Sequence, residues 1–257
     1  MINHWSLRRT GLLCASALCA ALAFGGSAGA ATLVADYEFN GNLSSSIAGA
    51  PDLVATDPLG TASFSGGVYN WTGAATPTSD QGGLSFDSTG LLNPSEYTVA
   101  LTFKFNERDN AWRRIIDVDN RMSDDGFYVD PSNNLDVFPL AGSTSAFTTG
   151  VFHTVTLTVD GTIVTAFLDG VEQFKNLSTD IMDISSTGII NLFLDNTVAG
   201  GQGERSSGSI DSALFYNGIA PPVATPEPST WAMLLIGFAG LGFAGWRGSQ
   251  KAVTQTA

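Results

Sequence analysis

From Val99 to Asn106 the side chains alternate: Val99, Leu101, Phe103 and Phe105 are large and apolar, while Ala100, Thr102, Lys104 and Asn106 are small or polar. A period of two belongs to a strand with one buried face, because successive side chains of an extended chain point to opposite sides. The pattern returns between Phe152 and Asp160, where Val155, Leu157 and Val159 face one way and Thr154, Thr156 and Thr158 the other. Asp160-Gly161 then leads into Ile163 to Leu168, and Asp169-Gly170 leads into Val171 to Phe174. Two Asp-Gly steps between β-rich runs predict two hairpins, since both residue types tolerate the positive φ that tight hairpin turns require. No segment before residue 223 shows a sustained helical period. The chain is therefore predicted to be all-β, with its strands in a two-sheet sandwich.

The ends read differently. Arg8 and Arg9, the apolar run Gly11 to Phe24 and the small-residue site Ala28-Gly29-Ala30 form the three regions of a secretory signal peptide over residues 1–30. Twin-arginine export is the alternative to the general secretory route, although Thr10 and Gly11 stand where that motif wants a bulky apolar residue. Cys14 and Cys19 are the only cysteines, and both lie in this leader. The exported chain thus has no disulfide, thiol nucleophile or cysteine-ligated zinc.

At the other end, Thr225-Pro226-Glu227-Pro228 precedes an uncharged stretch from Trp231 to Trp246, with Arg247 and Lys251 beyond it. Two prolines around one glutamate neither continue a helix nor donate to a strand ladder, so Pro226, Glu227 and Pro228 are predicted to stand extended and accessible to a processing enzyme. Tryptophans at both edges suit the headgroup level, and the basic residues favour leaving that end in the cytoplasm. As a helix the stretch would reach about 24 Å, short of a hydrocarbon core of about 30 Å. Gly237, Gly240, Gly242 and Gly245 would let a second helix approach closely.

This region resembles the PEP-CTERM sorting signal of Gram-negative bacteria. The resemblance implies an exosortase as partner, insertion in the inner membrane before processing, and a final place at the cell surface or in the medium. It assigns residues 223–257 to the sorting signal, with a transmembrane sorting helix. The sparse basic tail departs from the compact Arg or Lys cluster usual in that family.

Between the two signals, residues 31–222 suffice for one large β domain. The chain carries 24 acidic against 11 basic residues, a net charge of −13, and four of the bases are Arg8, Arg9, Arg247 and Lys251 in the terminal signals. A domain this acidic has nothing with which to neutralise phosphates, which excludes nucleic acid as a partner.

Three stretches of the domain carry a second resemblance. The aromatic-His start Phe152-His153 precedes a strand that closes on Asp160-Gly161. Ala35 to Leu43 provides an opening strand, and Gly208, Ile210 and Asp211 followed by Leu214 to Asn217 provide a final one. In this order they are similar to laminin-G-like domains, which implies a concanavalin A-like jelly roll over about Thr32 to Ile219. That fold hosts both lectin-type binders and glycoside hydrolases, so the site must decide.

Hydrolases of the laminarinase type carry Glu-x-Asp-x-x-Glu on one strand, whose alternating carboxylates act as nucleophile, helper and acid. Here Glu107 and Asp109 are followed by Trp112 in place of the second glutamate, so no catalytic residue is assigned and the chain is expected not to be an enzyme. His153, the one histidine outside the leader, would need a partner to act as a base. Calcium is the cofactor expected instead, since its hard-oxygen ligands come from several loops and laminin-G-like relatives often hold one. One candidate ligand set joins Asp36, Glu38, Asn40 and Asn42 of the opening segment to Asp211 of the final strand. A second comprises Asp195, Asn196 and Glu204. A third acidic cluster, Asp117, Asp119, Asp124 and Asp125, fails as an EF-hand loop because Arg121 occupies its fifth position.

Tyr69, Trp71, Trp112 and Tyr128 lie in or near turn-rich stretches and are candidates for a carbohydrate-binding platform, with core packing the competing assignment for each. The expected function is that of an exported surface or matrix protein whose sandwich binds or organises extracellular polysaccharide. The alternatives are a structural matrix or sheath protein and, third, a glycoside hydrolase.

Overall fold

The computed structural model describes residues 30–73, 76–107, 110–177, 180–198 and 203–223. The signal peptide, the sorting signal with its stretch from Trp231 to Trp246, and Asp109 lie outside the described residues. Among those that are described, no helix is long and apolar enough to cross a membrane.

Fifteen strands follow in order: β1 (Thr32–Tyr37), β2 (Val54–Thr56), β3 (Ser63–Ser65), β4 (Val68–Trp71), β5 (Gly83–Asp87), β6 (Glu96–Phe105), β7 (Arg113–Asp117) and β8 (Gly126–Val129), then β9 (Asn134–Phe138), β10 (Ala141–Ala146), β11 (His153–Asp160), β12 (Ile163–Leu168), β13 (Val171–Leu177), β14 (Ile189–Leu192) and β15 (Gly208–Asn217). They form two antiparallel sheets. The eight-stranded sheet runs β13-β12-β11-β6-β15-β4-β3, with β1 also on β15, and the seven-stranded sheet runs β10-β9-β8-β7-β14-β5-β2. The all-β sandwich expected from the alternating pattern is what the chain forms.

The hairpin β11–β12–β13 follows from its turn chemistry. Leu168 pairs with Val171, and the two loop residues Asp169 and Gly170 both have positive φ, as a type I′ turn needs. At the other turn Asp160 is itself paired, with Ile163, and the loop is Gly161-Thr162 with positive φ at Gly161 only. The Asp-Gly step marks both turns, one residue out of phase with each other.

The core lies between the sheets. Val99, Leu101, Phe103 and Phe105 of β6 meet Phe127 and Val129 of β8 and Leu135 and Val137 of β9, all fully buried. Trp71 stacks on Phe193 with centroids 4.0 Å apart, and Phe86 stacks on Phe215 at 4.1 Å. Gly208 makes room for this arrangement, since a Cβ there would sit 2.4 Å from the Trp71 ring.

The outer face of the eight-stranded sheet departs from simple alternation. Thr98, Thr156 and Thr158 point away from the core, yet they are 0, 0 and 5% exposed. The cause is the chain beyond β15, which crosses over that face. The Thr98 hydroxyl donates to the Gly218 carbonyl and accepts from the Ala220 N–H, both at 3.0 Å, and the Val223 N–H reaches the Thr156 hydroxyl at 3.4 Å. These hydroxyls satisfy backbone groups that a covering segment would otherwise leave unpaired.

Candidate functional site

The outer face of the seven-stranded sheet is built around a buried arginine. Within β7, Arg114 lies next to core residues Ile115 and Ile116, and its side chain is fully enclosed. Its guanidinium donates to the carbonyls of Ser123, Asp124 and Asp125 at 3.2, 3.1 and 3.4 Å, to the Tyr128 hydroxyl, and to the Glu204 carboxylate at 3.2 Å. It also lies 3.6 Å from Asp117 and 3.8 Å from Asp124. The guanidinium sits over the Tyr128 ring, 4.8 Å from its centroid. Gly126 keeps the space beside it open, because a Cβ there would come within 3.0 Å of the Ile116 carbonyl.

Two loops converge here, the β7–β8 and β14–β15 connections. The first is knotted by Asp117, whose carboxylate accepts the N–H groups of Asp119 at 2.9 Å and Arg121 at 2.7 Å. Asp195 closes the second on itself: it accepts from the Asn196 N–H at 2.7 Å and the Glu204 N–H at 3.0 Å. Asn196 in turn donates to Asp124 at 2.9 Å. Burial pushes the Asp117 carboxyl up to about 6 and that of Glu204 up to about 7, in each case against the opposing pull of Arg114. Asp124 is raised as well, first by desolvation.

Asp195, Asn196 and Glu204 thus come together, joined by the 117–125 cluster that spacing alone kept apart. Asp195 and Asn196 are wholly buried and bonded to one another and to Asp124 and Glu204, and Glu204 meets the guanidinium of Arg114. The signal that could have revealed it is the pair Arg113-Arg114 inside a β-rich run, where one of two adjacent charges must face each side of a sheet.

Above this network opens a cavity of about 450 Å³, lined by Asn110, Ala111, Trp112, Asp124, Pro131, Phe138, Gly203 and Glu204. Trp112 is half-buried, edge-on to Tyr128 at 5.5 Å and to the exposed Phe138 at 5.8 Å. Of the four aromatic residues expected to form a platform, Trp112 alone lines this cavity. Tyr69 and Trp71 are corrected to the core, each 2% exposed, with the Trp71 indole N–H bonded to the Ser206 carbonyl at 2.8 Å. Tyr128 is 1% exposed and supports Trp112 from behind.

The first ligand set occupies a separate place. β1 pairs with β15, so the opening segment and the final strand do lie side by side. A cavity of about 270 Å³ is lined by Asp36, Glu38, Asn40, Asn42 and Ser44 to Ser46. Asp211 stands in a register shift of β15 against β6, between Ile210 and Ser212, and such a bulge re-aims a side chain. Its carboxyl is raised by partial desolvation and then by the charge of Glu38, so the two carboxylates sense each other. Some of these oxygens already serve the loop: Asp36 accepts from the Ser46 hydroxyl and Asn42 from the Ser44 N–H. Among the described residues no group of three or more Asp, Glu, His or Cys side chains is disposed to hold a metal.

Glu107 and His153, the residues weighed for catalysis, each have a hydrogen-bond partner. Glu107 accepts the Ser207 N–H at 2.7 Å. His153 has the partner that its sequence context did not reveal: its Nδ1 lies 2.7 Å from the Asp169 carboxylate, while Nε2 accepts the Thr148 N–H at 3.3 Å. The first contact fastens the β12–β13 turn to the start of β11, and the second ties the β10–β11 connection to the same ring.

Comparison with known proteins agrees with this architecture. No functionally curated protein matches the chain. Among solved structures, domain 4 of AbnA, a GH43 extracellular arabinanase from Geobacillus stearothermophilus, in complex with arabinotriose, superimposes with a TM-score of 0.56 at 18% identity, covering 75% of this chain and 96% of that one. Botulinum neurotoxin type C, whose cell entry depends upon interaction with two ganglioside molecules, gives 0.51 at 9% identity over 74% of this chain and 49% of its own. Trypanosoma rangeli sialidase in complex with sialic acid gives 0.51 at 14% over 73% of this chain and 31% of its own. The chain therefore spans about half of the toxin chain and about a third of the sialidase, and at these identities the likeness is one of fold. The PEP-CTERM protein-sorting motif matches residues 224–249, which marks the chain for export and exosortase sorting in a Gram-negative bacterium. Residues 78–221, more than half of the 257, match the concanavalin A-like lectin/glucanases superfamily, and this exosortase-sorted chain belongs to that family.

Proposed function

We propose that the sandwich is a non-catalytic glycan-binding module, carried to the cell surface or the medium by exosortase processing. The observation that carries this reading is the cavity beside Trp112: a half-buried indole and two carboxyl groups lining one cavity suit a sugar ring, which has C–H faces and hydroxyl edges. Arabinotriose, gangliosides and sialic acid, named with the structural neighbours, all contain sugars. A binding role is further supported by the state of the two carboxylates. Asp124 and Glu204 both lie within 4 Å of the same Arg114 nitrogen, an ion-pair arrangement that holds the loops together. Extracellular polysaccharide is the partner this reading implies.

A glycan array probed with the processed protein and with Trp112→Ala tests the proposal. Binding to a defined set of glycans that the substitution removes is the expected result. Absence of binding, or binding indifferent to Trp112, would overturn it in favour of a structural matrix role. Release of reducing sugar from any bound glycan would overturn the non-catalytic assignment.

Calcium belongs to this reading at the opening segment alone. The mutual repulsion of Glu38 and Asp211 is the observation that favours a cation there, with the amide oxygens of the opening segment as further oxygen donors.

A further inference from the structure

We infer that residues 218–223 form a strap that governs exosortase processing: while its end is latched to Thr156 the sorting motif is held too close to the sandwich to be engaged, and release of the latch admits the enzyme. This rests on the processing step of the proposed function and adds what in the folded domain controls it.

The sorting match begins at residue 224, directly after Val223, whose N–H is bonded to Thr156 on the sheet. Ala224 and Thr225 alone separate Val223 from Pro226. Three steps of fully extended chain reach at most about 10 Å, so with Val223 in place Pro226 stays within that distance of the attachment. That is no more than the width of one helix with its side chains, about 10–12 Å, and the wall of an enzyme's cleft does not fit between motif and sheet. A processing enzyme needs its substrate chain extended and free on both sides of the bond it breaks, and cleavage near a folded domain therefore follows the population that has opened locally.

The two ends of the strap are held unequally. At its start the Thr98 hydroxyl bonds both the Gly218 carbonyl and the Ala220 N–H at 3.0 Å, and Ala220 is 4% exposed. Pro221 and Pro222 are exposed and have no N–H to offer, so the next backbone donor is that of Val223, at 3.4 Å from Thr156 and close to the limit of an effective hydrogen bond. A cavity of about 290 Å³ is lined by Pro221 and Pro222 together with Thr165, Phe167 and Lys175, so open space adjoins this part of the strap. The proline rings fix φ, which makes the stretch from Ala220 to Val223 a stiff rod that swings about Ala220. Losing the Thr156 bond frees the rod and the motif it carries, while the Thr98 bonds keep the start of the strap in place.

Pulse-chase of the full chain in a host bearing the exosortase tests the inference, with loss of the C-terminal segment read as a gel shift and confirmed by intact mass. Thr156→Val is expected to speed processing about fivefold, the effect of one hydrogen bond on an opening equilibrium. Cys14 and Cys19 both precede Ala31, so in a chain cleaved after Ala30 the pair Thr156→Cys and Val223→Cys supplies the only thiols. Oxidised, this pair should be processed about tenfold more slowly than wild type, and reductant should restore the rate. A flexible insertion of about ten Gly and Ser residues between Val223 and Ala224 should make processing indifferent to both changes, because the motif then reaches clear of the sheet. Equal rates for the oxidised and reduced pair would overturn the strap, as would a slowing that persists in the extended chain. Should the cysteine pair not close, Thr156→Val decides alone, and an unchanged rate there overturns it. A wild-type chain that keeps residues 231–257 in that host overturns the processing reading, and the strap with it.

Discussion

The two outer faces of the sandwich solve opposite problems. That of the eight-stranded sheet is closed by its own chain: the segment from Gly218 to Val223 lies over Thr98 and Thr156 and is tied to their neutral hydroxyls. That of the seven-stranded sheet stays open beside Trp112 and is held by titratable groups, three carboxyls on one guanidinium. Hydroxyls can be covered at small cost because each both donates and accepts, and their partners can return to water. Buried charges lack that retreat, since a carboxylate without its cation bears the full penalty of desolvation. The closed face should therefore tolerate change and the open face should not.

Removing the central cation is the hardest test of that contrast. Arg114→Ala would strand Asp117, Asp124 and Glu204, and breaking a buried pair in this way costs about 3–5 kcal/mol, read as a lower urea midpoint. A loss below 1 kcal/mol would mean that the network is a surface feature. Next in size is calcium. At a hundredfold excess over its dissociation constant, an ion bound only by the folded state would add about 2.7 kcal/mol, and Asp211→Ala should remove that gain. A melting temperature unchanged by EDTA would remove calcium from the opening segment and leave Arg114 as the cation organising the acidic loops.

A smaller effect concerns pH. Burial lifts the Glu204 carboxyl from 4.5 to about 7, so the folded protein holds this proton more tightly than the unfolded chain does. Stability from this group is present below pH 4.5 and is lost as pH rises towards 7, amounting to about 1–2 kcal/mol once residual screening is allowed for. Asp117, raised to about 6, adds to the same slope. Thermal melts from pH 5 to 8 should decline, and Glu204→Gln should flatten the decline; a slope unaltered by that substitution would place the titration elsewhere. Smallest of all is Thr98→Val on the closed face, at about 1 kcal/mol for its hydrogen bonds, accompanied by faster proteolytic nicking near Ala220 as the covering segment loosens. A loss as large as that of Arg114→Ala would erase the difference between the faces.

The strands that the alternating pattern marked, β6 and β11, and the hairpin through β13, were legible because alternation and turn chemistry are local. The aromatic platform was less so. Trp71 and Trp112 look alike in sequence, each beside polar and turn residues, yet β4 pairs with β15 and turns Trp71 inward onto Phe193, whereas Trp112 precedes β7 and stays at the rim. The acidic residues behaved in the same way. Asp36 to Asn42 form a local cavity from neighbouring positions, but Asp124 meets Glu204, distant from it in the chain, only once the fold brings both to Arg114.

What this sequence determined unaided is therefore what short-range physics controls: the sorting signal at 224–249, a period of two before it, and Asp-Gly turns. What only the tertiary structure decided is which carboxylates own a counter-charge and which aromatic ring faces water. Both depend on strands and loops distant in the chain lying side by side, and burial, which sets the strength of every charge in the site, is a property of the assembled sheets and not of any residue in them.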